Sequence, residues 1–286
     1  MKIWGDATMS VRMKLYVLDC GRMQMDKSLM LAGATLASRD NPNRPAEWIE
    51  FPIYSVFIDH PDGNVLFDTG CNPNSMGPNG RWPEQTQNTF PIVSGEECYL
   101  PHRLEQLRVR PDDIRYVVCS HLHLDHAGCL EYFRKSTIIV HDDELAGALK
   151  LYAMHQRLGA YIWDDIDAWI RNQLHWRPVR SDEGDLPLVE GVHILNLGSG
   201  HAFGMLGLQV QLPGTGGIIL ASDAVYCAAN YGPPVRLPGI IYDSLGYTRT
   251  VERIRRLAEA TRSQVWFGHD AEQFAQLIKS TEGYYE

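Results

Sequence analysis

The chain is expected to fold as one α/β domain, and three observations carry that expectation. Apolar runs of strand length alternate with amphipathic stretches of helical period. Several of those runs end directly in a histidine or aspartate, as when a rigid sheet delivers side chains to one edge. With 286 residues and 44% hydrophobic content there is material for one substantial core, and nothing suggests two independent domains.

Residues 14–19 and 53–59 read as strands, the second joined to another at 65–68 through the turn Pro61-Asp62-Gly63-Asn64. Residues 72–91 are rich in Asn, Pro and Gly without periodicity and read as a long surface loop. A helix at 103–107 precedes a buried strand at 115–119. Between 142 and 174 two helical stretches place Tyr161, Ile162, Ile166, Trp169 and Ile170 on one apolar face. Strands return at 192–196, 207–212 and 218–221, followed by a Pro-rich loop at 232–239. Residues 250–261 set Val251, Ile254, Leu257 and Ala258 against Arg and Glu, the pattern of an amphipathic surface helix, and a last short strand at 264–267 precedes a helix. Residues 1–13 read as a poorly ordered extension ahead of a domain at 14–286, with no internal repeat. The start lacks the apolar segment of a signal peptide, and no run of 18 apolar residues could span a membrane, so a cytoplasmic location is expected.

The most specific stretch chemically is Ser120-His121-Leu122-His123-Leu124-Asp125-His126-Ala127-Gly128. Three imidazoles and a carboxylate in six residues repel and pack badly unless a divalent cation organises them, and this donor set suits zinc or a similar first-row metal. If 115–119 is a buried strand, His121 and His123 alternate to one side of the segment that follows, while Asp125 and His126 fall past the turn and face a second point. One loop can then serve two metals, and the rest of the chain must supply another histidine and a bridging oxygen. His60, His102, His141, His155, His175 and His193 lie in charged or amphipathic stretches and read as surface residues. His201 sits in a glycine-flanked turn, Asp223 ends the strand at 218–221, and His269 follows the strand at 264–267, each where a buried strand emerges into a loop. Together with the 121–126 loop they complete a two-metal set.

These residues and their order resemble the metallo-β-lactamase superfamily, whose H-x-H-x-D-H loop is followed by a His, an Asp and a final His. The likeness runs from about Lys14 onward and includes Leu66-Phe67-Asp68-Thr69-Gly70. It implies a four-layer αβ/βα sandwich and two divalent metal ions, the first held by His121, His123 and His201, the second by Asp125, His126 and His269, with Asp223 bridging. A narrower resemblance, to the N-acyl-homoserine lactonases of quorum quenching, rests on Tyr226 three residues after Asp223, on the S-H-L-H-L-D-H-A-G loop, and on Phe267-Gly268-His269-Asp270 followed by Glu272-Gln273-Phe274. It implies hydrolysis of a lactone ring by a hydroxide held between the ions, with Tyr226 polarising the carbonyl oxygen and Asp125 moving a proton to the leaving oxygen. Zinc is the first choice of metal, with iron, cobalt or manganese compatible with the same ligands.

Met23 and Met25, alternating on what reads as a loop after the first strand, and Phe51 at the opening of the next, are candidates for an adaptable apolar wall along the acyl tail. A glutathione-thioester hydrolase would share the metal set but needs a cationic site that cannot be placed in the sequence. A β-lactam hydrolase is disfavoured by the Asp223 and Asp125-His126 ligands, and a redox di-iron protein by His123. A metal-binding, signal-sequestering module without turnover would not need Asp125 and Tyr226. The net charge of −9 disfavours nucleic acid as a partner, and a small neutral substrate fits better. No membrane partner is expected, and the chain is compatible with a homodimer. Cys20, Cys71, Cys98, Cys119, Cys129 and Cys227 have no C-x-x-C pairing and read as reduced thiols.

Overall fold

A computed structural model describes residues 12–286. Two mixed sheets face each other. The first contains β1 (Lys14–Asp26), β2 (Trp48–Asp59), β3 (Asn64–Phe67), β4 (Ile114–Val118), β5 (Thr137–His141) and β6 (His175–Val179) in that spatial order. Its first three strands are antiparallel and the run from β3 to β6 is parallel. The second sheet contains β7 (Leu186–Val189), β8 (Val192–Gly198), β9 (Met205–Leu212), β10 (Gly216–Ser222) and β11 (Gln264–Phe267), antiparallel except for β10 beside β11. The helices are α1 (Lys27–Met30), α2 (Glu84–Thr89), α3 (Leu100–Gln106), α4 (Asp142–Ala153), α5 (Trp163–Arg171), α6 (Ala228–Tyr231), α7 (Ser244–Thr261) and α8 (Ala271–Gln276).

The layering follows from the two-residue period of the strands, which sends neighbouring side chains to opposite faces. In β4 and β5, Val117 and Ile138 point to one core while Val118 and Ile139 point to another. The first core is closed by α3, α4 and α5 through Leu100, Leu104, Ala148, Leu151, Ile166 and Trp169. The second lies between the sheets, where Val17, Val56 and Val65 meet Ile194, Leu208, Val210 and Leu220. A third, on the far face of the second sheet, packs Ile219 and Leu195 under Tyr247, Val251 and Ile254 of α7. Helix, sheet, sheet and helix stack as the αβ/βα sandwich. Each fully buried Val, Leu or Ile contributes roughly 1.5–3 kcal/mol, so strands with apolar residues on both faces are held from both sides.

Several elements depart from the sequence reading. β1 does not end at residue 19: a register shift between Asp19 and Arg22, with Gly21 at φ 103°, carries the strand on to Asp26. Met23 and Met25 therefore lie on a strand, not a loop, and Met23 pairs with Phe51 of a β2 that starts at Trp48. β5, β6 and β7 were not anticipated. β6 and β7 are edge strands that carry Pro178 and Pro187, residues that argue against a central strand but are tolerated at an edge. The 72–91 loop contains α2. α7 begins six residues before position 250, because Asp243 accepts hydrogen bonds from the amides of Leu245 and Gly246 and caps it there. Ile170, assigned to the buried face of the 142–174 region, is 51% exposed, whereas Tyr161, Ile162, Ile166 and Trp169 are buried.

The expected N-terminal extension lies mostly outside the described residues, and Met13 at its end is buried in the core between the sheets. Among the described residues no helix is long and apolar enough to cross a membrane.

Candidate active site

Every candidate ligand sits at the same end of the two sheets, on a segment that leaves a buried strand. β4 ends at Val118, and the loop behind it folds back on itself, with the amides of His126 and Ala127 both donating to the carbonyl of His123. The turn closes against the 68–72 segment, where the Gly128 amide donates to the Gly70 carbonyl. A Cβ on Gly128 would collide with the backbone at Cys71 and Asn72, which is why glycine ends the motif. His201 follows β8, Asp223 follows β10 directly, and His269 follows β11.

The side chains converge as two groups that share one carboxylate. His121, His123 and His201 form one group; Asp125, His126 and His269 form the other. His201 Nε2 lies 2.8 Å from His123 Nδ1. Asp223 stands between them: its Oδ2 is 3.3 Å from His201 Nε2 and 3.8 Å from His121 Nε2, while its Oδ1 is 3.0 Å from His269 Nε2 and 3.4 Å from His126 Nε2. Asp125 Oδ2 lies 3.4 Å from His269 Nε2 and 3.5 Å from His126 Nε2. The two directions expected of the 121–126 loop are thus both present.

Ring orientation is set from behind. Nδ1 of His121 meets Ser120 Oγ at 3.0 Å, that of His126 meets Asp68 Oδ2 at 2.9 Å, that of His201 meets the Ile240 carbonyl at 3.0 Å, and that of His269 meets the Pro52 carbonyl at 2.9 Å. Such outer contacts fix the tautomer and aim Nε2 inward, as ligating histidines require. His123 is the exception and presents Nδ1 to the centre. Asp68, part of the Leu66-Phe67-Asp68-Thr69-Gly70 run but given no role from the sequence, also accepts from Ser120 and Ser222. Asp68 and Ser222 have φ of 58° and 47°, uncommon for non-glycine residues and typical of strain held at a functional site.

Electrostatics match the geometry. Burial and the neighbouring imidazoles hold His121 and His123 well below the ordinary histidine range, and burial lowers His201, so all three are neutral donors. Burial alone would raise the Asp223 carboxyl, but His269 and His126 bring it well below the usual carboxylate range. His126 and His269 are pulled down by burial but raised further by the surrounding carboxylates, so cation binding on that side must displace protons. Nε2 of both His121 and His126, and Oδ1 of Asp223, are buried without a hydrogen-bond partner. Buried polar atoms are rarely left so, and divalent cations satisfy all three at once, so the residues fit a metal centre.

Tyr226 is buried beside the ligands, its hydroxyl 3.3 Å from His201 Nδ1 and its ring centroid 5.4 Å from that of His269. Burial, reinforced by Asp223 and Asp125, pushes its phenol well above the ordinary range and keeps it a proton donor. A narrow cleft opens over the site, lined by His123, Asp125, Asp223, His269 and Tyr226 together with Met23, Met25 and Phe51. Phe51 packs edge-on against His269 at 4.9 Å. Phe90, Ala160 and Ile240 also line it and were missed, because they come from loops with no periodic signal.

Of the histidines read as surface residues, His60 and His141 are buried. His60 accepts from the Asp62 amide and its Nε2 meets the Glu190 carbonyl, joining turns of the two sheets; His141 caps α4. Neither belongs to the metal groups. The cysteines are free among the described residues, with Cys98 and Cys227 half-buried and the rest buried.

Residues 48–263 match the family model of the metallo-beta-lactamase superfamily. The chain is 49% identical over 273 residues to the N-acyl homoserine lactonase AiiB of Agrobacterium fabrum, covering 96% of this chain and 99% of that protein. The counterpart from Rhizobium rhizogenes is 48% identical over the same shares. Among solved structures, an N-acyl homoserine lactone hydrolase with the product N-hexanoyl-L-homoserine bound at its catalytic metal centre superposes with a TM-score of 0.80 at 25% identity, covering 97% of this chain and 100% of that one. The chain belongs to the metallo-beta-lactamase superfamily and, within it, to the N-acyl homoserine lactonase family.

Proposed function

We propose that this protein is a hydrolase that opens the lactone ring of N-acyl homoserine lactones using two divalent metal ions, with zinc the first candidate. The carrying observation is the arrangement of Asp223, whose two oxygens face two separate ligand groups beneath a cavity that also holds Tyr226. Ions bound there supply Lewis acidity toward a carbonyl and make water nucleophilic near neutral pH. His121, His123 and His201 would hold one, Asp125, His126 and His269 the other, and Asp223 would bridge.

The chain's own groups do the rest. Tyr226, kept protonated, donates to the carbonyl oxygen as negative charge develops on it. Asp125 lies at the cavity wall beside His269 and carries the proton from the attacking water to the ring oxygen as the ester bond breaks. Met23 and Met25 of β1 and Phe51 of β2 line one wall of the cleft. Tyr226→Phe is expected to keep the metal content and lower kcat by about ten- to a thousandfold, the scale of losing one oxyanion donor. Turnover measured on a panel of lactones and glutathione thioesters checks the substrate class; thioesters hydrolysed far faster than every lactone would sink the lactonase reading.

Met23, Met25 and Phe51 form the apolar wall for the acyl tail. They stand side by side through the Met23–Phe51 pairing, at 1–3% exposure. Tail area buried there contributes about 25 cal/mol per Å² whether or not the ring has reacted, so it acts on binding more than on chemistry. Met25→Ala should therefore raise KM more for long acyl chains than for short ones and leave kcat nearly unchanged. Equal losses across chain lengths in steady-state kinetics would assign Met25 to core packing alone.

A further inference from the structure

Glu144 is a fully buried carboxyl on the first turn of α4 that takes no part in the ligand set, yet its hydrogen bonds reach two ligand-bearing segments. Its Oε1 accepts from the Leu122 amide at 2.8 Å, between His121 and His123. Its Oε2 accepts from the Gly204 amide at 3.3 Å, three residues after His201. The Tyr161 hydroxyl donates to both oxygens, at 3.0 and 3.2 Å, and the Tyr161 ring packs edge-on against His123 at 4.7 Å and stacks on Phe203 at 5.5 Å.

A second set of contacts points the same way. A Cβ on Gly147 of α4 would strike the Phe203 ring, and one on Gly204 would strike the His141 ring at the start of the same helix. The 201–204 turn is therefore pressed onto the first two turns of α4, and Glu144 is the carboxyl at that contact. His123 and His201 come from segments 78 positions apart, and the separation of their ring nitrogens depends on how those segments are held together.

We propose that Glu144 is a positioning residue for the three-histidine half of the site: it ties the backbone of the 121–123 segment to the 201–204 turn and sets Tyr161 against His123. All of its donors are neutral, and burial pushes its carboxyl up to about 7 despite them. Such a group is retained at a cost to stability, in keeping with a role in geometry.

The proposal rests on the two-metal reading, and cobalt is used as the probe so that the two can fail separately. In a His269→Ala background the remaining strong position is the three-histidine one; in a His201→Ala background it is the other. Cobalt affinity is measured in each by chelator competition, along with the visible absorption of the bound ion. Glu144→Gln, which keeps one acceptor oxygen but turns an amide toward Gly204, is expected to weaken the three-histidine position by about tenfold, and Glu144→Ala by up to about a hundredfold, with an altered cobalt spectrum. Tyr161→Phe should cost less than about tenfold. The His201→Ala background should show no change with any of these.

Equal weakening in both backgrounds, or unchanged curves in both, overturns the role of Glu144. Failure of the His269→Ala protein to take up cobalt overturns it together with the two-metal reading. If the alanine variant does not fold, Glu144→Gln and Tyr161→Phe carry the same comparison.

Discussion

Asp223→Ala is expected to leave at most one metal equivalent on the protein and to lower kcat/KM for a lactone by about 10²–10⁴. Among the described residues Asp223 is the side chain whose oxygens face both ligand groups, with Oδ2 3.3 Å from His201 and Oδ1 3.0 Å from His269. Its loss would take a carboxylate oxygen away from both groups, whereas loss of His269 affects one group only. Lewis-acid stabilisation of the transition state is worth several kcal/mol, and about 3–5 kcal/mol corresponds to that range in rate. Elemental analysis after dialysis and steady-state kinetics check both parts. Two retained equivalents with activity within about tenfold of wild type would rule out Asp223 as the bridge.

Arg81→Ala is expected to destabilise the fold by about 3–5 kcal/mol at pH 8, the scale of leaving a buried charge without its partner. Arg81 bonds Asp165 at 2.9 Å and Glu131 at 2.7 Å, with the Asp165 side chain 3% exposed. Glu131 in turn accepts from Asn72, which also donates to the Gly128 carbonyl at the end of the metal loop, so the network braces the 72–82 segment against that loop.

Burial pushes the Asp165 carboxyl up to about 7, with Arg81 opposing the rise. A carboxyl whose folded value exceeds its unfolded one holds a proton that the unfolded chain has released, so its contribution to stability falls as pH rises from about 4 to about 7 and is level above. Without Arg81 the carboxyl rises further and the fall continues beyond 7. The penalty of Arg81→Ala should then be larger at pH 8 than at pH 5, and Asp165→Asn should recover part of it. Urea unfolding at the two pH values is the measurement; an equal penalty at both would detach the effect from the Asp165 charge.

The residues that converge at the candidate metal centre were legible because most of them are adjacent to a strong local signal. His121 to His126 are one contiguous motif, Asp223 directly follows a short apolar strand, and His269 comes one glycine after another. Met23, Met25 and Phe51 do line the cleft, but Met23 and Met25 lie on a strand and not on the expected loop, since a strand that passes through a bulge at Gly21 shows no continuous alternation. The edge strands β6 and β7 were invisible for the same kind of reason: proline breaks the pattern, and only neighbouring strands on one side make them strands at all.

By itself, then, the sequence determined the chemistry on offer: five imidazoles and two carboxylates, their order along the chain, the α/β class, and Tyr226 three places beyond Asp223. Only the tertiary structure decided how they act together. Which ring nitrogen faces inward is set by Asp68, Ile240 and Pro52, each at least 39 residues from the histidine it holds. The cavity wall needs Phe90, Ala160 and Ile240 brought in from separate loops. The two segments that carry the three-histidine group both donate to a buried carboxyl, Glu144, that no motif marks. Local pattern reports what a residue can do with its near neighbours in the chain, whereas orientation, desolvation and shared ligation depend on distances between segments that only packing of the two sheets and their helices establishes.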